Sequence, residues 1–204
     1  MYHGPPMFLG NAGASIATVV SFWVVFYVWV GLEFWLGNRR RRLPPGTANR
    51  DAGTKFWLIS SVWASVALGM GLAFAFPEVA ITRGRSEVFI AGLVVMLIGL
   101  ALRWYSIGLL GTSFTCDVAT RPDQEVVQAG PYRWIRHPSY TGGLLTVLGV
   151  LLCCVNLASL PAMVLVILGY AYRIRVEEHA LVEDLGAAYS DYMSKTKRLI
   201  PFVI

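Results

Sequence analysis

Five apolar stretches, at about 16–36, 56–76, 88–110, 140–155 and 157–172, decide which solvent this chain can fold in. The first three match the roughly 20 residues that a helix needs to cross hydrocarbon. The last two are shorter and read as a tight helical hairpin or as spans with little tilt. With 56% apolar and only 14% charged residues among 204, the chain lies outside the soluble range and has the length of one domain. The expected fold is an all-α integral membrane protein with about five transmembrane helices, the last two forming a short helical hairpin. It reads as a single domain over 1–204, in which 1–86 holds the N-terminal spans and loop and 87–204 carries the chemistry.

Positive charge is distributed unevenly. Six Lys or Arg residues fall in 37–55, three in 111–138 and five from 173 onward, against two in 77–86 and none before the first stretch or in 153–160. Arg103 lies inside the third stretch. By the positive-inside rule the N-terminus is outside, and the C-terminus and both polar motif clusters face the cytoplasm. The basic residues flank apolar segments and form no face interleaved with aromatics, so they argue for topology and against nucleic acid. Arg39, Arg40, Arg41 and Arg42 act as a stop-transfer flank. With no positive region ahead of it, the first stretch reads as a retained span and not as a signal peptide. Three cysteines and three histidines show no ligand spacing, and no metal is expected.

The densest polar segment, 130–143, reads Gly-Pro-Tyr-Arg-Trp-Ile-Arg-His-Pro-Ser-Tyr-Thr-Gly-Gly and abuts the fourth stretch. Pro131 and Pro138 keep the residues between them out of regular helix. Irregular backbone at membrane depth has to be buried in protein or line a cavity, so a cavity is expected here. Gly142 and Gly143 then allow another backbone or a ligand to come close. A second cluster, Arg173-Ile-Arg-Val-Glu-Glu-His179, follows the fifth stretch, where the helix should continue to a stop at Gly186. Arg173 and Glu177 share a helix face at i, i+4, with Glu178 beside them and His179 solvated. Ionisable groups at membrane depth are functional candidates by default. Arg103 is expected either to snorkel or to reach a pocket, where it would contact an acceptor or Glu177 and Glu178. Glu33 is assigned Arg39 or Arg40 as partner, 121–124 a turn, and the apolar tail 198–204 a return to the protein or bilayer surface.

The run GPYRWIRHPSYTG at 130–142, followed after one hairpin by Arg-x-x-x-Glu-Glu at 173–178 and Gly-x-x-Tyr-x-x-Tyr at 186–192, closely resembles the isoprenylcysteine carboxyl methyltransferase family. The segment 102–115 is similar as well, so the resemblance covers roughly 90–202. It implies an integral-membrane methyltransferase that uses S-adenosylmethionine. The cofactor would lie in a cytoplasmic pocket capped by the C-terminal segment, and a lipid-like or lipidated acceptor would enter from the bilayer. By the same resemblance His137, Tyr140, Glu177 and Glu178 fall on the cofactor-binding motif, while Arg136 and Arg173 line the reaction centre. Tyr132 is grouped with the cofactor residues, and Trp134, Leu109 and Leu144 are candidates for an apolar adenine slot.

The chemistry is compatible with those residue types. A carboxylate acceptor is ionised at neutral pH and needs no general base, and a guanidinium fork of Arg103, Arg136 or Arg173 can fix its attacking oxygen. Two other enzymes compete with this reading, a phospholipid or amine N-methyltransferase and an NADPH-dependent sterol-type reductase. No internal repeat supports a transporter. The host membrane would be the plasma or inner membrane in a prokaryote and the endoplasmic reticulum in a eukaryote.

Overall fold

The computed structural model describes residues 16–38, 48–51, 53–111, 114, 119–120 and 126–201. The basic run 39–42, the turn expected at 121–124, His3, Cys116 and residues 202–204 lie outside them. Among the described residues the helices are α1 (Ile16–Asn38), α2 (Thr54–Ala75), α3 (Arg85–Leu110), α4 (Pro138–Cys153), α5 (Met163–Leu185) and α6 (Ala187–Lys195). A two-residue antiparallel ladder joins β1 (Ala48–Asn49) to β2 (Ala119–Thr120).

The stretches α1, α2, α3 and Leu157–Leu185 are each long and apolar enough to cross a membrane, whereas α4 has 16 residues. The expected pair of short helices is therefore corrected. Only α4 is short, and α5 runs for 23 residues because, as expected, the polar cluster after Tyr172 continues the helix without a break. It ends where Gly186 takes φ 57, a value that a side chain would resist. Large apolar side chains face outward, with Tyr27 64%, Phe34 72% and Phe56 69% exposed. Such a surface suits hydrocarbon, and the chain is a multi-pass membrane protein.

Lipid tails are as apolar as these side chains, so close packing instead of water expulsion has to hold the helices together. Phe22, Phe26 and Trp29 of α1 join Met96, Val147, Val150, Leu151, Val166 and Tyr170 in one buried cluster. The tightest contact is between α3 and α4, where glycines one heptad apart face each other from both helices. A Cβ on Gly99 would come 2.5 Å from the Thr146 nitrogen, one on Gly142 2.6 Å from the Arg103 nitrogen and one on Gly149 2.5 Å from the Met96 nitrogen. Backbone therefore lies directly on backbone along this pair.

The polar groups separate to the two ends of the bundle. At one end Asn156 donates to the carbonyls of Ala73 at 3.1 Å and Phe76 at 3.0 Å, satisfying groups that the end of α2 leaves open. At the other end Arg50 pairs with Glu183 and Asp184, and Ile135 forms a parallel bridge with Lys197. Arg50, Lys55, Arg133, Arg136, Lys195 and Lys197 all gather at this second end, and Arg83 and Arg85 lie at the first.

Gly99→Ala should lower the thermal midpoint in detergent, since overpacking of this kind costs about 1–3 kcal/mol. Gly71→Ala, whose new methyl would meet nothing within 4 Å, should leave the midpoint unchanged or raise it slightly.

Candidate active site

Pro131 starts a 3₁₀ turn over Gly130–Arg133, and Pro138 occupies the first position of α4, where its missing N–H is not needed. The backbone between them is held by the C-terminal segment. Arg136 N donates to Lys197 O at 2.7 Å, His137 N to Arg198 O at 3.0 Å, and Lys197 N to Trp134 O at 3.0 Å. Thr141 Oγ1 donates to Leu199 O at 2.7 Å, so the strap after α6 is stitched to the start of α4. Tyr192 OH closes the other side by donating to Tyr132 O at 2.6 Å. Burial pushes the Tyr192 phenol up to about 12 and those of Tyr132 and Tyr189 further, so all three remain donors at neutral pH.

Glu178 ties these pieces together. One carboxylate oxygen accepts from Arg136 Nε at 2.8 Å and lies 3.3 Å from His137 Nε2, and the other accepts from Arg198 Nε at 2.9 Å. Arg136 Nη1 goes on to the carbonyls of Met193, at 3.1 Å, and Thr196. Both Glu178 and Arg136 are thereby committed to holding the strap. Removing one partner from such a buried pair costs about 3–5 kcal/mol because the other charge is left uncompensated.

Glu177, one residue earlier and about 100° round the helix, faces a different set. Its Oε2 accepts from Tyr140 OH at 2.5 Å, and its Oε1 has no partner among the described residues. The Tyr140 ring stacks on His137 with centroids 5.3 Å apart and planes at 3°. Arg173 Nε donates to the same Tyr140 oxygen at 3.3 Å, and Arg173 Nη1 reaches Asp51 and, at 2.7 Å, Thr54 Oγ1. Asp51 also accepts from Thr54 Oγ1 at 2.9 Å and Lys55 N at 3.2 Å, capping α2 while it neutralises Arg173.

An apolar cavity of about 440 Å³ leads to this cluster. Trp29 of α1 stacks on Trp63 of α2 with centroids 5.7 Å apart. Toward the polar end beyond that pair, Val30 and Phe34 of α1 and Leu58, Ile59 and Val62 of α2 line the cavity. Exposed Phe34, Ile59 and Trp63 form its rim on the lipid-facing side. Its inner end carries Glu33, Lys55, Arg103, Tyr140 and Arg173. Glu33 grips Arg103 at two points, accepting from Nε at 2.5 Å and Nη2 at 2.8 Å, while Nη1 donates to Ser139 O at 3.3 Å.

The two sequence clusters do come together, with Arg136, His137, Tyr140, Arg173, Glu177 and Glu178 in one network. Several finer expectations are corrected. Arg103 meets Glu33 and not Glu177 or Glu178, while Arg39 and Arg40, the partners expected for Glu33, lie outside the described residues. Arg173 is held by Asp51, so the i, i+4 pairing with Glu177 is replaced by a contact through Tyr140. The candidates for an adenine slot are not overturned: Trp134 is 50% exposed, with the Arg133 guanidinium 4.6 Å over its ring, and Leu144 packs on the core. His179 is exposed, as expected, and lies 3.4 Å from Glu183. Sequence reasoning passed over Asp51, Thr54 and Arg198. Asp51 did carry a signal, as the one acidic residue in the basic loop 37–55.

Fold and site define a class: a multi-pass helical membrane protein whose paired arginines and carboxylates close the inner end of an apolar cavity. Residues 91–183 match the model of the isoprenylcysteine carboxyl methyltransferase (ICMT) family. The protein-S-isoprenylcysteine O-methyltransferase of Saccharomyces cerevisiae is 31% identical over 137 residues, covering 64% of this chain and 57% of that protein. A probable protein-S-isoprenylcysteine O-methyltransferase of Oryza sativa subsp. indica is 31% identical over 134 residues, covering 64% of this chain and 69% of that protein. A solved structure of a eukaryotic intramembrane Ras methyltransferase, isoprenylcysteine carboxyl methyltransferase, superposes with TM-score 0.53 at 26% identity. That match covers 76% of this chain and 55% of the solved one. The chain belongs to the isoprenylcysteine carboxyl methyltransferase family, and it spans a little over half the length of the yeast relative. The family-matched residues include Arg103, Arg136, His137, Tyr140, Arg173, Glu177 and Glu178, whereas Glu33, Asp51 and Arg198 lie outside them.

Glu178→Gln should loosen the strap by weakening two charge-assisted contacts. Hydrogen exchange should rise at the amides of His137 and Lys197, with much less change in α2.

Proposed function

We propose that this protein moves a methyl group from S-adenosylmethionine to a carboxylate at the end of a lipid-like acceptor, such as an isoprenylcysteine, that enters the cavity between α1 and α2 from the bilayer. The observation that carries this reading is the meeting of an apolar cavity with a compact ionic cluster in which one carboxylate oxygen, Glu177 Oε1, has no partner among the described residues. The donor set suits the cofactor. Glu177 offers an anion to an ammonium group, and the stacked His137 and Tyr140 rings offer a flat polarisable surface beside it. When bound, the cofactor supplies an electrophilic methyl group on a sulfonium.

The protein's own tasks are then to hold, orient and exclude. Arg173 and Arg103, at the inner end of the cavity, have guanidinium N–H groups with which to orient an acceptor carboxylate, while Glu33 and Asp51 fix their planes. The apolar wall keeps water from the reacting atoms. No proton has to move, because the acceptor is already ionised, and most of the rate gain comes from alignment. Arg136, which the sequence placed at the reaction centre, is spent on Glu178 and the strap, so we assign it to positioning.

Charge balance favours a carboxylate over an amine. Lys55, Arg103 and Arg173 face Glu33, Asp51 and Glu177, so this inner cluster carries no net charge. A singly cationic cofactor together with an anionic acceptor keeps the filled site neutral. An amine acceptor would leave positive charge uncompensated at low dielectric.

Two measurements test the assignment. S-Adenosylhomocysteine should raise the melting temperature in detergent by mass action, and NADPH should not; the reverse pattern overturns the reading. Arg173→Lys, which loses the planar fork, should lower turnover by about one to two orders of magnitude with little change in cofactor affinity. Glu177→Gln should weaken cofactor binding first.

The gathering of basic residues at the site end supports a cytoplasmic site and an outer end at 76–84. With the native cysteines removed, Cys substituted for Glu78 should react with an impermeant reagent on intact cells, and Cys substituted for Ser194 should not.

A further inference from the structure

An apolar cavity that opens toward a bilayer and ends in cationic side chains has an obvious wrong occupant. Arginine binds phosphate as readily as carboxylate, and bilayers supply phosphate headgroups attached to acyl chains at very high local concentration. Left bare, Arg103 would offer a planar fork to any anionic lipid whose chains lay along Val30, Phe34 and Ile59.

Glu33 already occupies that fork. It accepts from both Nε and Nη2 of Arg103 at 2.5 and 2.8 Å, and both side chains line the cavity. The carboxylate comes from the last turns of an otherwise apolar α1, outside the residues that match the family model. A charge at membrane depth is expensive to insert, and among the described residues its partner is Arg103. Specificity often rests on a feature that opposes the wrong ligand, and a fixed carboxylate beside the guanidinium opposes any second anion that lacks a fit of its own.

We propose that Glu33 is a specificity-determining residue that keeps anionic phospholipid headgroups out of the cavity by occupying the two-point edge of Arg103. The remaining N–H groups of Arg103, with Arg173, still face a carboxylate acceptor, which is smaller than a phosphodiester and carries no second substituent on its head. This rests on the proposed acceptor entry only in naming what the cavity is kept open for; the exclusion itself is a binding property.

The test is lipid retention. Wild type, Glu33→Gln and the double variant Glu33→Gln/Arg103→Gln are reconstituted in nanodiscs of equal parts phosphatidylcholine and phosphatidylglycerol, then extracted in mild detergent and weighed intact by native mass spectrometry. We expect Glu33→Gln to retain roughly tenfold more phosphatidylglycerol than wild type, the change that one bidentate charge-assisted contact brings, with phosphatidylcholine unchanged. The double variant should return to the wild-type level. Equal retention by wild type and Glu33→Gln, or excess retention that survives in the double variant, overturns the proposal. Should Glu33→Gln not fold, Glu33→Asp, which keeps the charge and gives up the two-point grip, takes its place with the same two outcomes. Retention is read without methyl transfer, so its failure leaves the transferase assignment standing, and a failed transferase assay leaves the retention result intact.

Discussion

Contact between the backbones of α3 and α4 sets the geometry on which the site depends. Gly142 lies against the Arg103 backbone, and Gly99 against Thr146, closer than any side chain would allow. That approach brings the Ser139 carbonyl within reach of the Arg103 guanidinium. Gly143, one position on, gives the same closeness to the Tyr170 hydroxyl of α5, and Tyr170 in turn packs on Tyr140 at 5.1 Å. The glycines thus register three helices at the depth where the charges sit, with van der Waals contact as the cohesive force.

Given that register, low dielectric dictates the rest. Each charge brought to this depth has to meet a partner, and the partners come from segments distant in sequence: Glu33 for Arg103, Asp51 for Arg173, Arg198 for Glu178. The pairs therefore work as long-range ties. α1 reaches the polar end chiefly through Glu33, the α1–α2 connection through Asp51 and the C-terminal strap through Arg198. A site assembled in this way draws each peripheral segment toward α3, α4 and α5.

Much of this was legible in the chain. The apolar stretches gave the spans, the positive φ at Gly186 fell where the helix was expected to stop, and the two polar clusters met as their chemistry suggested. Partner identity was not legible. Arg173 and Glu177 have the spacing of an ion pair, yet Asp51 supplies the countercharge, because a capping carboxylate at the start of α2 is brought closer by folding than the neighbour one turn away. Glu177 and Glu178 read as a single acidic pair, but adjacent positions on a helix point about 100° apart, which gives them separate duties. The apolar part of the fifth stretch is short, yet the helix runs on through the polar cluster to Gly186, as the sequence indicated. Within a helical bundle, polar residues that find partners continue the helix as well as apolar ones do.

The division between Glu177 and Glu178 also says where the site can change without losing its shape. Glu178 has every oxygen engaged by Arg136, His137 or Arg198, so a ligand would have to displace a structural tie to use it. Glu177 keeps one oxygen open and is steadied through Tyr140, whose hydroxyl accepts from Arg173 and donates to Glu177. That chain of contacts connects the arginine proposed to face the acceptor with the carboxylate proposed to face the cofactor, through one phenol. A shift of Arg173 toward an arriving anion would be felt at Tyr140 and then at Glu177, since each is held by the next. The arrangement couples the two halves of the site by geometry alone, and it places Tyr140 where its removal would uncouple them while leaving both charges in place.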